Sequence, residues 1–88
     1  MLDFPNGGLV TITGSTVTKQ AGASNHLLIG YAMENSDNKL PGLTMTGGAL
    51  VGLCDSPMVA GRGGSTLTFS GVAKTGDIKV SGATAVAL

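Results

Sequence analysis

Hydrophobic and polar positions along this chain repeat with a period of two rather than 3.6. In Leu9-Val10-Thr11-Ile12-Thr13, Val10 and Ile12 share one face and the Thr residues the other, and Thr66-Leu67-Thr68-Phe69-Ser70 alternates strictly. Alternation over four to eight residues is the signature of a strand with one face buried. Gly or a Thr/Ser pair interrupts nearly every window long enough to be a helix. Leu27-Leu28-Ile29-Gly30-Tyr31-Ala32-Met33 is apolar on both faces and reads as a central strand, with Gly30 marking a bulge or a close backbone approach.

Short turn signals separate these runs. Gly14-Ser15 ahead of Thr16-Val17-Thr18-Lys19 fits a type II′ hairpin turn. Gly47-Gly48, between Leu43-Thr44-Met45-Thr46 and the strand starting at Ala49, fits type I′. Gln20 to Asn25 and Glu34 to Lys39 read as loops, Asp55-Ser56-Pro57 as a turn, and Gly61 to Ser65 as a loop. Strands at Ile78-Lys79-Val80 and from Thr84 to Leu88 complete the pattern. Seven to eight short strands spaced by such turns predict an all-β fold, a small antiparallel β-barrel or β-sandwich. Residues 1–8 are expected to form an N-terminal arm and residues 9–88 a single β domain.

Composition narrows the function. Only 11% of the 88 residues are charged, and five Lys plus Arg balance five Asp plus Glu. The cations Lys19, Lys39, Arg62, Lys74 and Lys79 are scattered, so neither nucleic acid nor an anionic membrane surface is an expected partner. Neither a signal-peptide pattern nor an apolar run of membrane-spanning length is present. With a lone Cys54 and three aromatic residues, stabilisation by disulfides or a large aromatic core is excluded. Oligomerisation or docking on a larger assembly is the remaining route.

Candidate chemistry is sparse. Gly61-Arg62-Gly63-Gly64-Ser65-Thr66 lacks the Lys and the spacing of a phosphate loop. His26 could be drawn with Cys54 or Ser56 as base and nucleophile, but no nucleophile-elbow pattern surrounds either. Cys54 lies in an apolar segment and reads as a packing residue. Glu34, Asn35, Asp37 and Asn38 lack calcium-loop spacing and read as a solvated turn. The Thr-x-Thr triplets at Thr11/Thr13, Thr16/Thr18, Thr44/Thr46 and Thr66/Thr68 read as β-propensity at solvent-facing positions. An enzyme is not expected, nor any cofactor or metal.

Two features point to contact with neighbours: apolar chain ends and a deficit of charge. They place the expected protein interface at Leu2, Phe4 and Pro5, at Arg62, and at Val86 and Leu88. A small, neutral, Gly/Thr-rich β domain resembles the decoration, or cement, proteins of tailed-bacteriophage capsids. Leu28-Ile29-Gly30-Tyr31-Ala32 and the run from Ser65 to Lys74 are similar to phrases of their β-rich members. The resemblance implies a homotrimer or other symmetric oligomer on the outside of a virion, bound to the major capsid protein and bridging its subunits after synthesis in the host cytoplasm. The competing reading is a small carbohydrate- or receptor-binding β module of a phage tail or adhesin.

Overall fold

The computed structural model describes residues 2–34 and 41–88. Among them are eleven strands: β1 (Leu2–Phe4), β2 (Val10–Thr13), β3 (Thr16–Lys19), β4 (Leu27–Tyr31), β5 (Leu43–Thr46) and β6 (Ala49–Gly52), then β7 (Met58–Gly61), β8 (Thr66–Ser70), β9 (Ala73–Thr75), β10 (Lys79–Ser81) and β11 (Thr84–Val86). No strand pairs with its neighbour in sequence. Sheet A has the order β1-β4-β7-β10, sheet B β11-β8-β5-β2 and sheet C β3-β6-β9.

Every one of these pairings is parallel. Each strand therefore stacks on the strand three elements earlier, and the chain winds as a solenoid of three-stranded coils, a parallel β-helix. The expected all-strand composition stands, but the antiparallel barrel or sandwich of seven to eight strands does not. Parallel strands need a crossover of about a dozen residues or more. Here the other two strands of the coil provide it.

The two glycine connectors expected to close hairpins are corners of this solenoid. Gly14, Gly47 and Gly71 each follow a sheet B strand and take φ of 64°, 67° and 63°. Their backbones stack from coil to coil, Gly14 N–H donating to Thr46 O at 2.9 Å and Gly47 N–H to Ser70 O at 2.8 Å. Ala49 N–H then donates to Ser15 O, and Ala73 N–H to Gly48 O, both at 3.0 Å. A left-handed residue followed by one more thus turns the chain from sheet B into sheet C without reversing it.

Side chains pointing inward from the three sheets form one core. Val10, Leu43, Leu67 and Ala85 align across sheet B, as do Ile12, Met45 and Phe69. Val17 and Leu50 align in sheet C, and Leu2, Ile29, Val59 and Val80 in sheet A. The core cluster draws its buried residues from all three sheets, with Leu2, Phe4, Val10, Val72, Ala83, Ala85 and Leu88 packed against it part-buried. Stacking like on like across coils lets short aliphatic side chains fill a narrow prism where few aromatics are available.

Sequence expectation and structure also part elsewhere in the chain. Residues Leu2–Phe4, expected within an arm, form β1 and pair with β4. Met58–Gly61, with no strand expected, is β7 at the centre of sheet A. The bulge expected around Gly30 occurs just before it, where the register against β7 shifts between Leu27 and Ile29.

Candidate interaction surfaces

Internal bracing accounts for several residues with chemical potential. Tyr31 is fully buried, and its hydroxyl donates to Gly8 O at 2.5 Å while accepting from Gly42 N–H at 3.0 Å. It ties together the connections entering β2 and β5, two stacked corners of the coil. Arg62 is half-buried; its Nε donates to Ala32 O at 2.7 Å, and its backbone N–H donates to Tyr31 O. Ser65 is buried and closes the same corner by donating to Arg62 O at 2.5 Å. Among the described residues, each buried side-chain nitrogen or oxygen has a partner.

The expected interface residues fall into two groups. Leu2, Phe4 and Leu88 are part-buried against the core, and Arg62 braces a corner. Pro5 is also part-buried, its carbonyl accepting from Glu34 N–H. Val86, by contrast, is 45% exposed on the outward side of the last sheet B strand. Leu2 and Phe4 lie at the opposite end of the solenoid from Val86: β1 is an outer strand of sheet A, and β11 an outer strand of sheet B.

Of the residues weighed for catalysis, His26 and Ser56 are exposed and Cys54 is buried. Among the described residues no group of His, Cys, Asp and Glu could hold a metal ion. Glu34 is exposed, while Asn35, Asp37 and Asn38, read with it as a solvated turn, lie outside the described residues, as does Lys39. Sugar-binding platforms are built from accessible aromatic faces. Tyr31 and Phe69 are both inside the core, and Phe4 is packed against it.

What sequence reading did not assemble is the outer face of sheet B. Thr11, Thr44 and Thr68 stand at one register level, continued by Val86; Thr13, Thr46 and Ser70 stand at a second; Thr66 and Thr84 at a third. All but half-buried Thr68 are exposed. The signal was the Thr-x-Thr triplet, but only the parallel register converts separate triplets into rows. No ionisable residue occurs in β2, β5, β8 or β11. Compared with known proteins, the chain matches no family model, no curated protein and no solved structure.

Proposed function

We propose that this chain is a non-catalytic structural protein that joins β-rich neighbours in an assembly, the setting being the outer surface of a viral shell. The observation that carries the assembly role is the state of the solenoid's two ends. Outer strands carry unpaired backbone N–H and C=O groups, and proteins ordinarily blunt them with charge, Pro or bulges. β2 and β11, the outer strands of sheet B, have no charged residue, no Pro and no register shift against their inner partners. Large apolar side chains stand beside them: Leu9, 78% exposed just before β2, and Val86 on β11. Val80, at a core-facing level of sheet A, is 40% exposed on β10, the outer strand of that sheet among the described residues.

Strand addition at such an edge supplies main-chain hydrogen bonds, with flanking side chains giving specificity. Because the two open edges of sheet B are at opposite ends, one molecule can hold two neighbours at once. Bridging subunits requires that geometry. The viral shell, and the major capsid protein as the partner bridged, come from the resemblance of Leu28–Ala32 and Ser65–Lys74 to capsid decoration proteins.

A lysine on an outer strand blocks strand addition without touching the core. Leu9→Lys and Val86→Lys are therefore expected to reduce oligomer size in size-exclusion chromatography with light scattering. They should also reduce occupancy on a purified capsid lattice. A monomeric wild type that leaves the lattice bare overturns the proposal. Deleting residues 1–6 is the poorer test, because it strips β1 from sheet A and uncovers β4.

A further inference from the structure

We propose that the outer face of sheet B is an ice-binding surface. The inference uses the face of the sheet and is independent of what its edges pair with. Its first support is regularity: pairings β2·β5, β5·β8 and β8·β11 are parallel and run without a register shift, whereas sheet A has one. Equivalent outward side chains on adjacent strands then repeat about every 4.7–4.9 Å, and alternate residues along one strand about every 6.6 Å. Thr11, Thr44 and Thr68, with Thr13, Thr46 and Ser70 beside them, occupy a grid of these two perpendicular repeats. The oxygen repeats on a prism face of hexagonal ice are close to both, within what small adjustments of strand and side-chain angle absorb.

Charge supplies the second support. With no ionisable group on any strand of sheet B, the face offers nothing to an ionic ligand and suits a neutral one. The charged side chains of the described residues lie elsewhere: Asp3, Lys19, Lys74 and Lys79 in the other sheets, and Glu34, Asp55, Arg62 and Asp77 between strands. A neutral polysaccharide would want an aromatic platform, and this face presents none.

The chemistry of Thr fits an ordered water lattice. Each hydroxyl donates one hydrogen bond and accepts others, so it can stand in for a lattice water. The adjacent γ-methyl excludes liquid water from the gap between hydroxyls. Because Thr is β-branched and restricted at χ1, and the strands are fixed in the solenoid, little side-chain freedom is lost on adsorption.

Ice-affinity partitioning tests this directly. Fluorescently tagged protein in dilute buffer is exposed to slowly growing polycrystalline ice, and its concentration in ice and liquid is compared with that of a non-binding globular protein. The wild type should be enriched in the ice. Thr44→Lys and Thr68→Lys, at the centre of the grid, should lose the enrichment, while Thr18→Lys on the outer face of sheet C should keep it. Circular dichroism melts establish that each variant is folded. Exclusion of the wild type from ice, or equal enrichment of all three variants, overturns the proposal. So does retention on microcrystalline cellulose combined with exclusion from ice.

Discussion

A pair of glycine substitutions separates a solenoid corner from a hairpin turn. Gly14 and Gly48 both hold positive φ, 64° and 75°, so an alanine at either costs about 1–2 kcal/mol for the left-handed conformation alone. Their surroundings differ. A Cβ on Gly14 meets nothing within 4 Å, whereas one on Gly48 would lie 2.0 Å from Ser15 O and 2.7 Å from Ser15 N. Those atoms belong to the coil stacked above and are backbone, so they cannot swing away. Forcing the coils apart adds about 1–3 kcal/mol or more by analogy with overpacked cores.

Gly48→Ala should therefore cost roughly 2–5 kcal/mol in total, a large share of the ~5–15 kcal/mol that stabilises a typical domain. Thermal midpoints of domains this size fall by about 4–8 °C per kcal/mol. Gly14→Ala should lower the midpoint by about 4–16 °C, and Gly48→Ala by about 8–40 °C and always by more than Gly14→Ala. Urea titration gives the same ordering, with an unchanged slope if both variants unfold from the same fold. In a hairpin loop neither Cβ would meet a distant segment, and the two variants would cost about the same. Equal midpoints would refute the stacked-corner account.

Other expectations follow from single contacts. Tyr31→Phe keeps the ring but leaves the Gly42 N–H and the Gly8 carbonyl without that partner; a loss of about 1–3 kcal/mol in chemical denaturation is expected, and a loss under about 0.5 kcal/mol would argue against the bridge. Leu50→Ala removes a fully buried side chain at the centre of sheet C and should cost about 2–5 kcal/mol by the same assay, with little change tolerated only if the coils collapse onto the space. Asp77→Ala breaks the 3.1 Å pair with Lys79, but both side chains are largely exposed, so the thermal midpoint should move by no more than the equivalent of about 1 kcal/mol.

The positions and inward faces of β2, β5 and β8 were legible in the chain itself. Val10 and Ile12, Leu43 and Met45, and Leu67 and Phe69 alternate with Thr at a period of two, and each of these apolar residues packs in or against the core. The pairing was not legible, for two reasons. First, a two-residue connector containing Gly serves a hairpin and a solenoid corner equally well, because both need at least one residue of positive φ. Second, the coils are unequal in length. Residues 20–26 and 32–42 are inserted in the early coils, where the later ones use only 76–78, 62–65 and 82–83. No fixed period survives such insertions.

The candidate surfaces divide the same way. Low charge and apolar chain ends, visible from composition, direct attention to contacts with neighbours. Which residues remain available for contact depends on stacking. Arg62 is drawn into bracing Ala32, and Leu2 and Phe4 into β1, while Leu9 and Val86 are left outside. Local alternation determines which way a side chain points, because successive residues of a strand face opposite sides whatever the strand pairs with. Partner and direction are decided by contacts between residues a full coil apart. Only once those contacts close do separate Thr-x-Thr triplets become one array, and two ordinary strands become the open ends of sheet B.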